Sequence, residues 1–443
     1  MAGSLDRRAF LDTAAAGLAA TAAACAGQPA PAAVAPAPAR LDTIRMGFVG
    51  VGHQGSAHVE NFLRIEGVEI RAICDINPAK ASAAQQLLTA AGKPAARLYT
   101  NGPRDFERLC GEEELDLVFT ATPWELHAPV CLAAMEHGKH AATEVPMAPT
   151  LEECWRLVEA AERTRRHCVM MENCTYDRTE MMILHMVRRG LLGELLHAEC
   201  GYLHDLRELK LTDFYEGRWR IAHSIRRNGD LYPTHGLGPV AQWLDVNRGN
   251  QFEYVVSVGS AARGLAGWAA EHIGPASAEA RQGYALSDVV TTIIRTRREQ
   301  TIVITHDTNL PRPYSRNIVL QGTKGVVRKY PEQRIHIEGR SRAHQWEDLA
   351  GYRDEFEHPV WRALEERSRG AGHGGMDYIE DYRLIQCLRA GEPTDMDVYD
   401  GAAWSAVSGL SERSIAGRGR PVDFPDFTRG AWRTREPLGI VTV

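Results

Sequence analysis

A short apolar run, Ile44-Arg45-Met46-Gly47-Phe48-Val49, leads directly into Gly50-Val51-Gly52-His53-Gln54-Gly55 and then into a helix-compatible stretch from Ser56 to Leu63. Strand, glycine turn and helix in that order constrain the fold more than any other feature of the chain. In such a unit the first glycine permits the tight turn and the second lets backbone approach a pyrophosphate. The third lets helix pack on strand, and the phosphate sits at the helix N-terminus. Val68–Cys74 reads as the second strand and ends at Asp75, twenty residues after Gly55, where a carboxylate accepts both ribose hydroxyls. A carboxylate there predicts NAD over NADP, because the 2′-phosphate of NADP would meet a like charge.

The same alternation continues. Leu115–Thr120 and Lys139–Thr143 read as strands with a helix from Ala128 to Glu136 between them, Leu151–Arg165 suits a crossing helix, and Cys168–Met171 suits a last parallel strand. Parallel strands joined by helices present ligand groups at their C-terminal ends, where Thr122-Pro123 and Glu144-Val145-Pro146 fall, so both turns are expected on the nicotinamide side. Beyond them the pattern changes. Thr179–Arg189 reads as a helix, Phe252–Gly259 as a strand, Val289–Thr305 as a hairpin turning near Glu299-Gln300, and Asn317–Gly339 as another hairpin through Gly322–Gly325. At 443 residues two domains are expected: an α/β chain with an N-terminal Rossmann parallel sheet over 41–167, then an α+β domain over 168–443 built on a largely antiparallel open sheet.

The first forty residues belong to neither domain. Arg7-Arg8 precede Phe10-Leu11 and an Ala-rich stretch from Thr13 to Ala24, which reads as a twin-arginine export signal ending in cleavage near Ala24 or in lipidation at Cys25. The stretch is too short and too weakly apolar for a stable membrane span. Gln28–Ala39 follows as a Pro/Ala linker, and a periplasmic or secreted protein is expected. Export of this kind moves folded proteins, commonly around a cofactor acquired beforehand. Lys and Arg total 51 against 57 Asp and Glu, so the net charge of −6 gives no support to a nucleic-acid partner. The nine cysteines show neither Cys-x-x-Cys nor zinc spacing, and no metal site is indicated.

The run Thr122-Pro123-Trp124-Glu125-Leu126-His127, then Gly138-Lys139-His140, then Glu144-Val145-Pro146 resembles the signature of the glucose-fructose oxidoreductase and inositol dehydrogenase superfamily. Dehydrogenases of that group carry a lysine where this chain has Val145, and an Asp-x-Gly-x-His element where it has Tyr232-Pro233-Thr234-His235-Gly236-Leu237-Gly238-Pro239. These departures, with Glu172-Asn173-Cys174-Thr175-Tyr176, Asn247-Arg248-Gly249 and Gly372-His373-Gly374-Gly375-Met376-Asp377, make nearly the whole mature chain similar to glycoside hydrolase family 109.

The resemblance implies an α-N-acetylgalactosaminidase that holds NAD without consuming it. It implies that Glu144, Tyr176, Arg220, Tyr232, His235 and Tyr314 face the sugar, with His235 and Tyr176 as proton-transfer groups. Gly50, Gly52, His53, Gln54, Gly55, Asp75, Thr122, Trp124, His127, Glu144 and Asn173 are then the residues expected on the cofactor. Hydride removal from C3 of the sugar acidifies the C2 proton, elimination and water addition follow, and the hydride returns. No carboxylate pair flanking the glycosidic bond is required. The implied partners are a glycan ending in N-acetylgalactosamine and a second copy of the chain, joined through the sheet. A periplasmic NAD(P)-dependent sugar oxidoreductase and a non-catalytic sugar-binding module are the alternatives. For the residues themselves the plain alternatives are a helix cap or carbonyl partner for His235, core packing for the tyrosines, a cap for Glu144 and a structural place for His373.

Overall fold

The computed structural model describes residues 40–213 and 217–443, so the twin-arginine motif, Cys25 and the Pro/Ala linker lie outside the described residues. Six strands, β1 (Ile44–Val49), β2 (Val68–Cys74), β3 (Arg97–Tyr99), β4 (Leu117–Thr120), β5 (His140–Thr143) and β6 (Cys168–Met170), form one sheet in the order β3-β2-β1-β4-β5-β6. Every pairing in it is parallel. This is the doubly wound Rossmann arrangement, and it brings the C-terminal ends of β1 and β4 together where the strand order reverses. The strands are nearly continuous apolar runs because helices cover both faces. β6 extends the parallel sheet past residue 167, to Met170.

The connecting helices are α1 (His53–Leu63), α2 (Pro78–Ala90), α3 (Asp105–Glu112), α4 (Trp124–Glu136) and α5 (Leu151–Thr164). Two differ from the sequence expectation. α1 begins at His53 rather than Ser56, inside the glycine motif, and α4 begins at Trp124 rather than Ala128, directly after the Thr122-Pro123 turn. Both strand-to-helix turns are therefore tighter than the apolar period alone suggests, and each helix start faces the end of its strand. Local chemistry sets other boundaries: Asn77 accepts the Ala79 N–H ahead of Pro78 at the start of α2, and Thr150 accepts the Glu153 N–H at the start of α5.

The second sheet has nine strands in the order β14-β13-β12-β11-β7-β10-β9-β8-β15. They are β7 (Leu195–Leu203), β8 (Phe252–Gly259), β9 (Val289–Thr296), β10 (Thr301–Asp307), β11 (Val319–Gly322), β12 (Gly325–Arg328), β13 (Arg334–Ile337), β14 (Glu347–Asp348) and β15 (Val422–Asp423). All pairings are antiparallel except β7 with β10. That one parallel pair matters, because it sets the C-terminal ends of two neighbouring strands side by side and delivers Tyr202 and His204 to the same edge as Asp307, Thr308 and Asn309.

Four helices pack this sheet and join it to the first: α6 (Arg178–Arg188), α7 (Thr234–Trp243), α8 (Met376–Ala390) and α9 (Val398–Ala416). Asn228–Pro239 reads from sequence as a loop preceding a helix, but α7 starts inside it at Thr234 and places His235 in its first turn. α9 starts with a capping box of Asp397 and Asp400 and packs on α5 and β8. Arg248, from the Asn247-Arg248-Gly249 run, pairs with both oxygens of Asp400 at 2.7 Å, so that run is tied to the start of α9. The eight described cysteines are all buried free thiols.

α7 meets β7 backbone to backbone. A Cβ at Gly236 would stand 2.4 Å from the Gly201 nitrogen and 2.8 Å from its oxygen, and neither can yield. Gly236→Ala should therefore push α7 off the sheet and cost about 1–3 kcal/mol of stability, the usual cost of overpacking. Thermal or denaturant unfolding would measure that loss, and activity should fall with it because His235 is the neighbouring residue.

Candidate functional site

The glycine turn is built around Asp75. Its Oδ2 accepts the Val51 N–H at 2.9 Å and its Oδ1 accepts the Asn77 N–H at 2.8 Å, so the carboxylate at the end of β2 fixes the turn at the end of β1 and retains lone pairs for ribose hydroxyls. Gly50 has φ +82°, and a Cβ at Gly55 would stand 2.1 Å from the Gly50 oxygen. Gly52 differs: a Cβ there would meet only the Lys80 Nζ, at 3.6 Å. Protein packing does not require glycine at 52, whereas a pyrophosphate lying against the backbone does, so the turn fits the dinucleotide the sequence predicts. Gln54 and the exposed His53 begin α1 beside it.

Glu144 follows β5. Its Oε2 accepts the Val145 N–H at 3.2 Å, and its Oε1 lies 2.7 Å from Nε2 of His58. The other ring nitrogen of His58 lies 2.9 Å from both oxygens of Asp381, which also accepts from Asn61. Burial alone would strip the imidazole of its charge, but Asp381 and Glu144 outweigh it and hold His58 well above its ordinary pKa. Burial likewise works against ionising Glu144, yet the hydrogen bond and charge of His58 keep it below the usual carboxylate range. Burial pushes Asp381 up to about 6 and neighbouring Glu380 well above its ordinary value.

His127 is placed differently. Its ring nitrogens lie 2.7 Å from the Pro146 carbonyl and 2.8 Å from the Thr122 carbonyl, and burial lowers its pKa. It ties the two strand-end turns together from inside. Thr122 Oγ1 lies 3.0 Å from Thr120 Oγ1, and Asn173 donates to Asp377 at 2.8 Å.

His235 faces an aromatic wall. Its Nδ1 lies 2.7 Å from Oε1 of Glu172, which also accepts the Cys174 N–H and is fully buried. A carboxylate only accepts, so Nδ1 carries the hydrogen and Nε2 is left to take or hold a proton. The His235 ring meets Tyr232 and Tyr202 at centroid distances of 4.9 and 5.4 Å. Tyr232 stacks on Trp124 at 5.6 Å, and Trp219 meets Trp124 at 5.2 Å. The Arg220 guanidinium lies over Trp219, Trp124 and Tyr232. On the other side Tyr314, 39% exposed, meets His204 at 5.1 Å, and the Tyr202 hydroxyl lies 3.0 Å from His204 Nδ1. Aromatic walls with a few aimed polar groups are the usual lining of a small-molecule site.

The structure thus brings His235, Tyr232, Arg220, Tyr314 and Trp124 into one connected group. Tyr176 is not joined to it by any ring contact among the described residues. Its hydroxyl donates to Asp395 at 3.1 Å beside Arg383, and burial raises its pKa well above the ordinary value. The plain alternative for a tyrosine, a core aromatic with a satisfied hydroxyl, describes Tyr176. Sequence reasoning assigned no role to Glu172, His58, Tyr202, His204 or Trp219. Glu172 stands in one of the segments that carry the family resemblance, but its partner lies 63 residues away.

Known proteins resemble this chain. Residues 44–172 match the family model for an oxidoreductase NAD-binding Rossmann fold, and residues 176–434 match that of the glycosyl hydrolase 109 C-terminal domain. Glycosyl hydrolase family 109 proteins of Shewanella pealeana and Shewanella baltica are each 47% identical, over 91% of this chain and 89% of theirs. A levoglucosan dehydrogenase solved with NADH and levoglucosan superimposes on 86% of this chain and all of its own, with a TM-score of 0.68 and 20% identity. An inositol dehydrogenase homologue from Azotobacter vinelandii solved with NAD+ covers 88% of this chain and 99% of its own, with a TM-score of 0.64 and 20% identity. The NAD-binding fold is thus shared with sugar dehydrogenases, while more than half of the chain matches a hydrolase model.

Two outcomes follow. Asp75→Ala removes the acceptor of two turn amides and the carboxylate expected to receive the ribose hydroxyls, so the purified variant should release less NAD on denaturation, at about 1.5–3 kcal/mol for a hydrogen bond to a charged group. Glu172→Gln lets an amide group face Nδ1 and select the wrong tautomer, so turnover should fall about 10²-fold or more with thermal stability nearly kept. Unchanged NAD content in the first case, or an unchanged rate in the second, would remove that residue from its role.

Proposed function

The chain belongs to glycosyl hydrolase family 109, and from that premise we propose that it removes terminal α-linked N-acetylgalactosamine from glycans through transient oxidation at C3 of the sugar. The observation that carries this reading is the Glu172–His235 pair, which fixes one ring nitrogen, leaves the other unbonded and sets the ring 4.9 Å from that of Tyr232. The carboxylates nearby support it too. Glu144 is committed to His58 and Glu172 to His235, so neither is free to act as the acid and nucleophile of an ordinary glycosidase.

Gly50, Gly52, Gly55 and Asp75 would hold NAD, which would supply the hydride acceptor and donor. The aromatic faces of Trp124, Tyr232 and Tyr202 seat the sugar, and Arg220 and Tyr314 donate to its oxygens. The remaining lone pairs of Glu144 accept from a sugar hydroxyl. Once C3 is a ketone the C2 proton is acidic, and His235 Nε2 takes it as the C1–O bond breaks. The proton held by His235 exchanges with solvent; when water bonds to C1 its surplus proton balances the aglycone oxygen, and C2 regains a proton from His235. Glu172 favours the imidazolium formed between these steps and holds the ring in one tautomer. Val145 stands where the dehydrogenases have lysine, which favours hydrolysis over net oxidation.

Two further parts of the reading go with this. A cofactor restored in every turnover suits a periplasmic or secreted enzyme, in keeping with the Arg7-Arg8 signal, since no soluble NAD pool exists there to reoxidise released NADH. Among the described residues no helix is long and apolar enough to cross a membrane. Val256, Ile293 and Val303 stand in one cross-strand row opposite the buried face of the nine-stranded sheet, which supports a homo-oligomer joined there.

Cleavage of an α-N-acetylgalactosaminide in deuterated water, without added NAD, should place deuterium at C2 of the released sugar, and His235→Ala should lose about 10²–10⁴-fold in rate. Released sugar without deuterium, together with a near-normal His235→Ala rate, would show that the bond is broken by direct displacement. Hydride transfer to an added ketose with no cleavage of any glycoside would make the chain a sugar oxidoreductase.

A further inference from the structure

Glu172 and Cys174 stand two residues apart just past the end of β6, at the short helical turn Asn173–Tyr176, and His235 comes to them from the first turn of α7. Each of the three offers a metal-ligating atom, and those atoms lie within 4.8 Å of one another. Among the described residues no other three histidine, cysteine or carboxylate side chains bring their ligating atoms within that distance. A glycine makes the approach possible. A Cβ at Gly238, one turn along α7, would stand 2.9 Å from Cγ of Glu172 and 3.1 Å from Cγ2 of Thr175, so the helix lies directly on the turn.

The carboxylate in this group is only half satisfied. Glu172 Oε1 serves two donors, His235 Nδ1 at 2.7 Å and the Cys174 N–H at 3.1 Å, whereas Oε2 is buried and has no partner among the described residues. A buried carboxylate oxygen left unmatched is costly unless something positive comes to it. Cys174 Sγ lies 2.9 Å from Arg316 Nη1, which donates to it, and 3.4 Å from Asn173 Oδ1. Arg316 is also paired with Asp177 and Glu180, so its charge is compensated within its own network while its N–H suits a thiolate. Carboxylate, thiolate and imidazole together are the donor set of zinc and its thiophilic neighbours, and the hard cations magnesium and calcium take oxygen ligands instead. The carboxylate and the thiolate carry two negative charges between them, which matches a divalent cation.

We propose that Glu172, Cys174 and His235 form an inhibitory site for a thiophilic divalent cation, with zinc the best match. The cation replaces the proton on His235 Nδ1 and the proton of the Cys174 thiol. Both protons leave to solvent, and coordinate bonds form from Nδ1, from Sγ and from a Glu172 carboxylate oxygen. Tetrahedral bonds of about 2.1 Å set nitrogen and oxygen about 3.4 Å apart, so Nδ1 and Oε1 have to part from 2.7 Å while Sγ draws in. His235 can make that movement, because its side chain is 14% exposed whereas Glu172 and Cys174 are fully buried. The fourth position is left to water. With Nδ1 on the metal, Glu172 no longer holds the ring in its working tautomer, and a divalent charge beside the ring opposes the imidazolium. The proton transfer assigned to His235 then stops. Only that loss of turnover rests on the glycosidase reading above; the binding of the cation stands apart from it. Cysteine spacing does not reveal such a site, because it uses one cysteine and donors up to 63 residues apart.

Cobalt reports such a site directly. Co²⁺ added to the purified protein with its NAD should give a thiolate-to-cobalt charge-transfer band in the near-ultraviolet difference spectrum, displaced by Zn²⁺ but not by Mg²⁺ or Ca²⁺. The same additions of Zn²⁺ should stop cleavage of a nitrophenyl α-N-acetylgalactosaminide, and a chelator should restore it. Cys174→Ser keeps a polar atom for Arg316 and removes the thiolate. It should lose the band and need more than about 100-fold higher Zn²⁺ for half-inhibition, since loss even of an outer-shell partner costs about 10–100-fold in metal affinity. His235→Ala changes a partly exposed position and should lose the band as well, which keeps the test decisive if Cys174→Ser does not fold. Absence of the band in the wild-type protein, its survival in either variant, or unchanged Zn²⁺ sensitivity of Cys174→Ser overturns the site. A band that depends on Cys174 and His235, in a protein that cleaves no glycoside without metal, leaves the site standing and removes the glycosidase reading instead.

Discussion

Much of the molecule hangs on one buried imidazole. His58 has a carboxylate against each ring nitrogen, and the three groups come from α1, the turn after β5 and α8, residues up to 323 apart in sequence. Removing either carboxylate would leave a charge uncompensated in the interior, at about 3–5 kcal/mol. The helix that begins in the glycine turn is therefore held in place by a helix from the last quarter of the chain. Asn61 and Gln54 bond to the same helix, which makes α1 a shared wall rather than the property of one sheet. The described residues accordingly pack as one compact unit even though they hold two sheets.

The histidines show how surroundings divide the work of one side chain. His127, between two carbonyls in the dry interior, has its pKa lowered by burial and serves as a brace. His58, between two carboxylates, is a fixed cation. His235 and His373 each have one carboxylate partner and one unbonded nitrogen, the condition under which an imidazole can move a proton without turning. Nothing in the identity of the residue predicts which of these it becomes. The number and charge of its partners decide.

That also explains what could be read from the chain directly. The glycine turn, Asp75 and the parallel strands are local signals, and β1, β2 and β5 lie within a residue of where their apolar runs place them. β7 was missed because Leu195–Leu203 alternates poorly, with a histidine, a glutamate and a glycine set into it by contacts to β10 and β11. α9 carries small and apolar residues on all sides because it is buried on nearly all sides, so it offers no amphipathic stripe to detect. The candidate histidines and tyrosines could be picked out by resemblance, but their partners could not. Glu172, Asp377 and Asp381 acquire meaning only from what the fold sets against them, as does Asp395, which receives the Tyr176 hydroxyl from 219 residues away.

The eight buried thiols carry a consequence for the life history of the chain. Once folded, each is shielded, and for Cys74, Cys110 and Cys387 burial pushes the thiol pKa up to about 12, far from the reactive thiolate. While unfolded, the same eight groups are free to cross-link in any of many wrong combinations wherever an oxidant is present. The consequence for any chain so built is an order of events: folding in a reducing environment has to be complete before an oxidising one is met. Buried cysteine is harmless in the finished molecule and hazardous in the nascent one.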